Sequence, residues 1–437
     1  MTLSEFIEYI KTAFIKEPSV MGTPKQIAVQ ESVGDNTSKK DMVIKAVINR
    51  SKEIQPEDLA RVEEEMLVYF DECKNADYFD DINSTCYYQL LDLREKTESR
   101  VVVIGDVHCD YKSLTAILLK LSCSEYDYFE KGYFVFLGDY LDRGCTLFEP
   151  LLLLMDLKRI LGDRLIMLRG NHEMIDYDEE KQEMAGKVLP LDSVPCLNEY
   201  CIDNKAFLKS FAYFYRTLPT YVYLKATDMN ILLTHGAIPR QVFLDVFSFD
   251  VNTGAIVFTD EELTRLNMNQ LQARNQILND MIWGDPSVDL EKYQVNGRFE
   301  FGSKQYEAYA QKNKLSRVFR SHEPVDDGFE SFFNDCVCTV FSTGGIMNEQ
   351  TGYPEVEPAF AIINPDGGFH IENSFLYHVI IEDEVDICCN LYNGELIKRQ
   401  EIKKYSVNPE FYCTDEKIMQ IVSLYNKVNE GFPPEES

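Results

Sequence analysis

The sequence predicts an α/β fold in which helices cover a buried sheet. Between residues 100 and 325, short apolar runs of strand length recur, and each stops abruptly at polar residues. Helix-length apolar patterns at residues 111–121 and 147–161 separate the first three runs, which is the β-α-β rhythm of a parallel sheet. The composition is that of a folded protein, because 45% of the 437 residues are hydrophobic and 27% are charged.

A polar side chain follows directly after each apolar run. The five runs and the residues after them are VVVIG with Asp106 and His108, YFVFLG with Asp139, RLIMLRG with Asn171 and His172, NILLT with His235, and SRVFRS with His322. In open α/β sheets, ligands bind beyond the carboxyl ends of the strands. The pattern therefore predicts that these side chains converge on one site.

The residue types in this set point to a metal centre. For any single histidine, a satisfied structural role is the commoner explanation, but four of the six histidines stand at these run ends together with two aspartates and an asparagine. Oxygen and nitrogen ligands without thiolates suit a pair of ions such as manganese, iron or zinc. Two such ions, roughly 3.5–4 Å apart, activate water and neutralise a phosphoryl group, so phosphate ester hydrolysis is the leading hypothesis.

Charge and cysteine usage exclude several other classes. With 43 basic against 73 acidic residues, the net charge of −30 opposes binding to nucleic acids and anionic lipids. No run approaches the about 20 apolar residues of a membrane span, and the charged N-terminal residues do not form a signal-peptide core. Twelve cysteines without framework spacing indicate thiols in a reducing compartment. We therefore expect a soluble cytoplasmic protein without a membrane span.

The chain divides into three predicted parts. Residues 1–55 hold one short helical pattern and a polar stretch at 30–41 that is typical of a loop or linker, so they form an N-terminal extension. Residues 56–375 begin with a helical pattern and contain all the apolar runs above, so they form the catalytic domain. Residues 376–437, with a strand pattern at 376–384 and a helical pattern at 417–428, form a C-terminal extension. The extensions either bind a targeting partner or cap the core.

Several motifs resemble those of a known superfamily. GDVHCD (105–110), GDYLDRG (138–144) and GNHE (170–173) resemble the signature of the calcineurin-like metallophosphoesterases. LLTHGAIP (232–239), MIWGDP (281–286) and residues 301–330 are similar to further segments of the phosphoprotein phosphatases, the PPP family of Ser/Thr protein phosphatases. The resemblance covers roughly residues 60–375. It implies a layered fold with a central β-sandwich flanked by helices, to which we add helical extensions at both ends.

The resemblance also implies a set of metal ligands. Two divalent ions are expected, Mn²⁺ in vitro with iron or zinc as alternatives, and a hydroxide between them would attack phosphorus without a phosphoenzyme. The first ion would be held by Asp106, His108 and the bridging Asp139; the second would share Asp139 and add Asn171, His235 and His322.

Four further residues take roles by the same resemblance. His172 would be the general acid that protonates the leaving group, oriented by Asp142. Arg143 would clamp the phosphoryl oxygens with its planar fork, and a surface ion pair is its structural alternative. Arg298 would be a second clamp, although the segment between it and the following FG is shorter than in the family.

Three features depart from the family pattern. Cys109 replaces a glycine, and its thiol is either inert packing or an oxidation-sensitive group near the metals. GGIMNEQTGY (344–353) replaces the family's tyrosine-bearing loop, which leaves leaving-group recognition open. The insertion at 174–197 starts with acidic residues, so it either favours substrates that are basic around the phosphosite or forms a solvated loop.

These observations predict a phosphoric ester hydrolase that acts on phosphoserine and phosphothreonine in proteins, with phosphotyrosine as a further substrate residue. The alternative is a small-molecule phosphoesterase, such as a dinucleoside polyphosphate hydrolase, which shares the first three motifs but not residues 301–330. A catalytically silent scaffold is a third hypothesis, against which the retention of every predicted ligand argues. The phosphoprotein substrate is the expected partner, and the sequence specifies no regulatory partner.

Overall fold

The computed structural model describes residues 38–50, 80–122, 124–189, 192–201, 205–288, 299–345, 348, 350–374, 377–381 and 385–389. The helical patterns predicted near the chain start, after Pro56 and at 417–428 lie outside the described residues. Within these ranges, no helix is long and apolar enough to cross a membrane.

The described residues form nine α-helices and nineteen strands. The helices are α1 (Lys39–Arg50), α2 (Tyr111–Ser122), α3 (Tyr128–Lys131), α4 (Phe148–Leu161), α5 (Ser193–Tyr200), α6 (Lys205–Thr217), α7 (Asp260–Arg265), α8 (Gln270–Trp283) and α9 (Ser303–Asn313). The strands are β1 (Tyr88–Asp92), β2 (Val101–Ile104), β3 (Tyr133–Phe136), β4 (Leu165–Met167), β5 (Ile175–Asp178), β6 (Glu183–Gly186), β7 (Tyr221–Lys225), β8 (Asn230–Thr234), β9 (Phe247–Phe249), β10 (Ile256–Phe258), β11 (Asp285–Pro286), β12 (Glu300–Phe301), β13 (Arg317–Arg320), β14 (Phe329–Phe332), β15 (Val337–Val340), β16 (Ala359–Ile363), β17 (Phe369–Asn373), β18 (Tyr377–Ile381) and β19 (Val385–Cys389).

Two mixed sheets form the centre of the molecule. One has the spatial order β17-β16-β2-β3-β4, and the other has the order β1-β7-β8-β13-β15-β14. In the first sheet β2, β3 and β4 are parallel, as the β-α-β rhythm predicts, and in the second β13 is parallel to both β8 and β15. The five apolar runs of the sequence are β2, β3, β4, β8 and β13. Their prediction as strands is confirmed.

The two sheets pack face to face, and both of their outer faces are covered by helices. Val103 and Val135 of the first sheet share a buried cluster with Leu233 and Phe319 of the second. Their strand neighbours point the other way, so that Phe134 packs under α1, α2, α4 and α6. On the second sheet the outer cover is formed by α8 and α9. Burial on both faces explains why these strands are continuous apolar runs rather than alternating ones. The predicted β-sandwich flanked by helices is confirmed.

Helix α1 departs from the sequence-based expectation. Its first residues belong to the stretch 30–41 that was predicted as a loop or linker, yet Val43, Ala46 and Val47 are buried against the helical layer. The hydroxyl of Tyr111 donates to the carbonyl of Val47, and Lys39 pairs with Glu130 at 3.6 Å. The polar composition of residues 38–41 hid the apolar positions that follow at helical spacing. We keep the division at residues 55 and 375 as a proposal, with α1 packed on the catalytic domain.

Past residue 375, the described residues form a β-hairpin. Strand β18 confirms the strand pattern at 376–384, and β19 pairs with it in antiparallel register. Strand β19 also runs alongside α2, so this hairpin contacts the helical layer. Strand β19 was not predicted from the sequence.

The packing of α1 gives a stability prediction. Val47→Ala removes two methyl groups from a side chain that is 1% exposed, so we expect the free energy of unfolding to fall by about 1–3 kcal/mol in chemical denaturation. Val242→Ala, at a valine that is 50% exposed, is the matched control and should change it by less than about 0.5 kcal/mol. Equal effects of the two substitutions would show that α1 does not belong to the core.

Candidate metal centre

The residues that follow β2, β3 and β8 meet at one edge of the sandwich. Nε2 of His108 lies 3.4 Å from Oδ2 of Asp106 and 3.5 Å from Oδ2 of Asp139. On the other side of Asp139, Oδ1 lies 3.3 Å from Nε2 of His235. All four side chains are at most 2% exposed. Asp139 is thus the central residue of the predicted site.

The residues after β4 and β13 complete the group. Oδ1 of Asn171 lies 2.9 Å from Nε2 of His235 and 2.9 Å from Nδ1 of His322. Two sets of possible ligand atoms share Asp139, and the atoms of each set all lie within 4.8 Å of one another. One set contains His108 and His172, and the other contains His235 and His322. The structure therefore brings together all six residues that the sequence analysis named as metal ligands.

Backbone contacts fix the tautomers of two histidines. Nδ1 of His108 lies 2.8 Å from the carbonyl of Leu141, and Nδ1 of His235 lies 3.0 Å from that of Leu137. A carbonyl only accepts, so each Nδ1–H donates and each Nε2 faces the site. Burial lowers the pKa of His108, but the carboxylates of Asp106 and Asp139 outweigh it and raise this pKa to about 9. Protons therefore compete with cations for these nitrogens.

The donor set fits divalent cations. Oδ1 of Asp106 accepts from the Ser321 hydroxyl and from the backbone N–H of His322, whereas its buried Oδ2 has no hydrogen-bond partner among the described residues. The Asn171 amide faces the two carboxylate oxygens of Asp139 as well as the two imidazole nitrogens, so its nitrogen can donate to them, and its oxygen can join them around a cation. Such a concentration of lone pairs is unfavourable when buried alone and favourable around a cation. Carboxylate, amide and imidazole donors suit manganese, iron or zinc.

The site loops are held in unusual backbone conformations. Six non-glycine residues here have positive φ, namely His108, Cys109, Asp139, Asp142, Arg143 and His322. The carboxylate of Glu173 accepts N–H groups of Asp139, Tyr140 and Gly170 at 2.8, 2.8 and 2.9 Å. A Cβ on Gly170 would lie 2.1 Å from Oδ1 of Asp139, which explains the glycine of GNHE. Glu173, which the sequence analysis left without a role, thus ties the second motif to the third and maintains this strain.

His172 lies beside the ligands and pairs with Asp142. Nδ1 of His172 is 2.7 Å from Oδ2 of Asp142, and its Nε2 is 3.9 Å from Oδ2 of Asp139. Burial raises the pKa of Asp142, but hydrogen bonds from His172 and from the backbone of Ser193 and Asp192 hold it below its ordinary value. This geometry suits a general acid, although Nε2 is also close enough to the first set of ligand atoms to join it.

Of the two predicted phosphate clamps, Arg143 lies among the described residues. The Arg143 side chain is exposed at the rim of the site, and no ion pair to its guanidinium is present among the described residues. This argues against the surface ion pair as its structural explanation. Arg298 lies outside the described residues.

The loop 344–353 carries a residue that the sequence analysis missed. The ring of Tyr353 lies 5.5 Å from the ring of His108 and 5.0 Å from that of Phe341. Burial and the charge of Asp106 raise the pKa of Tyr353, whereas the charge of Arg143 lowers it. A tyrosine therefore borders the site even though this loop departs from the family pattern.

The same loop is anchored to the first motif. Oδ2 of Asp110, which is fully buried, accepts from Oγ1 of Thr343 and Nδ2 of Asn348, both at 2.7 Å. The hydroxyl of Ser113 donates to the same oxygen at 2.5 Å. Farther along the loop, the carbonyl of Gln350 accepts the backbone N–H of Cys145, next to the Arg143 segment. The loop thus bridges the first two motifs.

The other two departures from the family pattern, Cys109 and the insertion at 174–197, have structural explanations. Burial raises the pKa of Cys109 to about 12, so its thiolate is scarce at neutral pH and the inert alternative is favoured. In the insertion, β5 and β6 form a hairpin in which three of the five acids form ion pairs. The ion pairs are Asp176 with Lys187 and Arg216, Asp178 with Lys181, and Glu179 with Lys209. These pairs favour the solvated-loop alternative over an acidic docking rim.

Comparisons with known proteins agree on one family. Residues 99–326 match the family model described as calcineurin-like phosphoesterase. A protein of Encephalitozoon cuniculi named probable serine/threonine-protein phosphatase is 26% identical over 290 residues, which are 62% of this chain and 52% of the relative. The catalytic subunit of serine/threonine-protein phosphatase 6 of Caenorhabditis elegans is 29% identical over 262 residues, which are 56% of this chain and 64% of the relative. The chain thus spans between half and two thirds of these relatives.

A solved structure supports the fold. A protein serine/threonine phosphatase from Saccharomyces cerevisiae superposes with a TM-score of 0.52 at 18% sequence identity. The alignment covers 75% of this chain and 92% of that structure. At this identity the likeness concerns the fold alone.

The buried donor set gives a metal-binding prediction. Mn²⁺ should stabilise the protein against thermal unfolding, by about 2.7 kcal/mol at a hundredfold excess over its Kd. Asp139→Asn removes the shared ligand, so the shift should largely disappear and elemental analysis should show less bound metal. Asp176→Asn, in the hairpin, is the control and should keep the shift. A full shift in Asp139→Asn would contradict the predicted centre.

Proposed function

This chain belongs to the calcineurin-like phosphoesterase family, and we propose that it is a dimetal phosphoprotein phosphatase that hydrolyses phosphoserine and phosphothreonine monoesters. The observation that carries the proposal is the convergence of two ligand sets on Asp139, with the His172–Asp142 pair beside them. The names of the two relatives support a protein substrate rather than a small molecule. Phosphotyrosine remains a further substrate residue to be tested.

The proposed ligands follow from the distances. One ion would be held by Asp106, His108 and Asp139, and the other by Asp139, Asn171, His235 and His322. For His322 the ligand atom would be Nδ1, since its Nε2 faces Asp285 at 3.8 Å. When bound, such ions neutralise phosphoryl oxygens and acidify a water nucleophile. Mn²⁺ is the ion we expect in vitro, with iron or zinc as alternatives.

We assign the proton-donating role to His172. Because Nδ1 of His172 pairs with the Asp142 carboxylate at 2.7 Å, the ring is oriented with Nε2 towards the site, where it would give a proton to the departing alkoxide. The exposed guanidinium of Arg143 would bind two phosphoryl oxygens in its planar fork. Arg298 would be a second clamp.

We also propose a cellular compartment and a class of partner. The seven cysteines whose side chains the structure describes are free thiols, which supports a reducing, cytoplasmic location. The phosphoprotein is the proposed partner. Basic residues around the phosphosite are a weaker proposal, because three acids of the hairpin already form ion pairs.

A substrate panel tests the function. The Mn²⁺-loaded protein is assayed on phosphoserine, phosphothreonine and phosphotyrosine peptides, a dinucleoside polyphosphate and an aryl phosphate, each with and without metal. Metal-dependent release of phosphate from the phosphoserine or phosphothreonine peptides is the expected result. Turnover of the dinucleoside polyphosphate alone would favour the small-molecule alternative, and no turnover of any substrate would favour the silent scaffold.

The role of His172 predicts a kinetic effect without metal loss. In His172→Asn, kcat should fall by about 10²- to 10⁴-fold, because the leaving group departs unprotonated, while elemental analysis finds the same metal content. Normal turnover would remove His172 as the acid. Loss of bound metal would make it a ligand instead.

The clamp role of Arg143 predicts weaker phosphate binding. Arg143→Ala should raise the inhibition constant of inorganic phosphate by about 10- to 100-fold, since two charge-assisted hydrogen bonds are lost. Arg143→Lys should give an intermediate value, because it keeps the charge but not the fork. Arg240→Ala, at an exposed arginine that pairs with Asp280, is the control. An unchanged constant in Arg143→Ala would count against the clamp.

A further inference from the structure

The start of helix α5 lies directly against the loop that carries Asp142. The first N–H groups of a helix have no partner within it and are available to an acceptor. Here the N–H groups of Asp192 and Ser193 both donate to Oδ1 of Asp142, at 3.0 and 2.7 Å. The other oxygen of Asp142 receives Nδ1 of His172 at 2.7 Å. The carboxylate is therefore held between the helix start and the histidine.

The side chain of Ser193 holds the backbone of the same aspartate. Its Oγ accepts the N–H of Asp142 at 2.7 Å, and the serine is only 4% exposed. Asp142 and Arg143 have φ of 65° and 71°, in the left-handed region that is strained for a non-glycine residue. The Arg143 N–H donates to Oδ2 of Asp192 at 3.3 Å. Asp192 and Ser193 thus restrain both the side chain and the strained backbone next to the site.

We propose that Ser193 is a positioning residue for the general acid: its hydroxyl and N–H fix Asp142, and through Asp142 they fix the direction in which Nε2 of His172 points. The inference rests on the proposed function. Ser193 lies within the insertion at 174–197, and besides holding the Asp142 N–H its hydroxyl contacts Sγ of Cys109 at 3.5 Å, so the proposed effect is the part that is transmitted through Asp142. Removing the hydroxyl leaves the Asp142 N–H without its acceptor and lets the loop relax.

The test uses two substrates that differ in their need for an acid. Phenyl phosphate has a poor leaving group that must be protonated as it departs, whereas para-nitrophenyl phosphate releases a stable phenolate. In Ser193→Ala, kcat for phenyl phosphate should fall by about 10- to 100-fold, with KM changed by less than about twofold. The kcat for para-nitrophenyl phosphate should change by less than about threefold.

Ser122→Ala is the matched control. Ser122 is a buried serine whose hydroxyl donates to the Leu119 carbonyl, away from the site. This variant should leave both substrates unaffected, and the metal content should be equal in both variants. A parallel loss on the two substrates in Ser193→Ala would mean a general structural defect and would overturn the positioning role.

A double-mutant cycle with His172→Asn gives the second readout. If Ser193 acts through His172, adding Ser193→Ala to His172→Asn should produce no further fall in kcat on phenyl phosphate. An additional fall of the size seen in the single variant would overturn the proposal. Turnover by the wild-type protein separates failure of the proposed function from failure of this inference. A wild-type protein that is inactive on both aryl phosphates and all phosphopeptides refutes the proposed function. An active wild-type protein whose kcat is unaffected by Ser193→Ala refutes only the positioning role.

Discussion

The structure depends on the crowding of electron-pair donors around Asp139. Both oxygens of this carboxylate face imidazole nitrogens and the Asn171 side-chain amide within an interior from which water is largely excluded. Such a group of donors is stable only when positive charge sits among them, either as protons on the histidines or as cations. The rest of the site serves to hold the donors in place against this repulsion.

The sandwich supplies the required rigidity. Each donor lies on a short loop after a strand that is buried on both faces, so the loop ends are fixed by close packing on two sides. Strained backbone at the donors is held by a second layer of hydrogen bonds, chiefly to the carboxylate of Glu173. That carboxylate is itself fully buried, and burial together with the charge of Asp139 raises its pKa to about 7, which its backbone donors oppose. The charge balance of the centre therefore extends beyond the ligands.

Much of this arrangement could be predicted from the sequence, because each donor directly follows an apolar run and parallel strands end at one edge. The convergence of the six donors and the pairing of His172 with Asp142 needed no more than that pattern and the motifs, and the roles of these residues remain proposals. The position of Tyr353 and the contact of Ser193 with Asp142 could not be predicted. Both depend on how loops far apart in the chain fold back on the sheet, and no periodicity encodes that. Helix α1 was missed for a different reason, since the three polar residues at its start masked the apolar stripe after them.

The anchoring of residues 344–353 by Asp110 has a consequence for chimaeric proteins. Transplanting a relative's loop into this chain would delete the Asn348 side of the contact and leave Thr343 and Ser113 as the remaining side-chain partners of a carboxylate that is 0% exposed. Each lost bond to such a group costs about 1–3 kcal/mol, so the exchange would weaken the start of α2 and the loop together. Residue 110 and the loop therefore have to be exchanged as a single module.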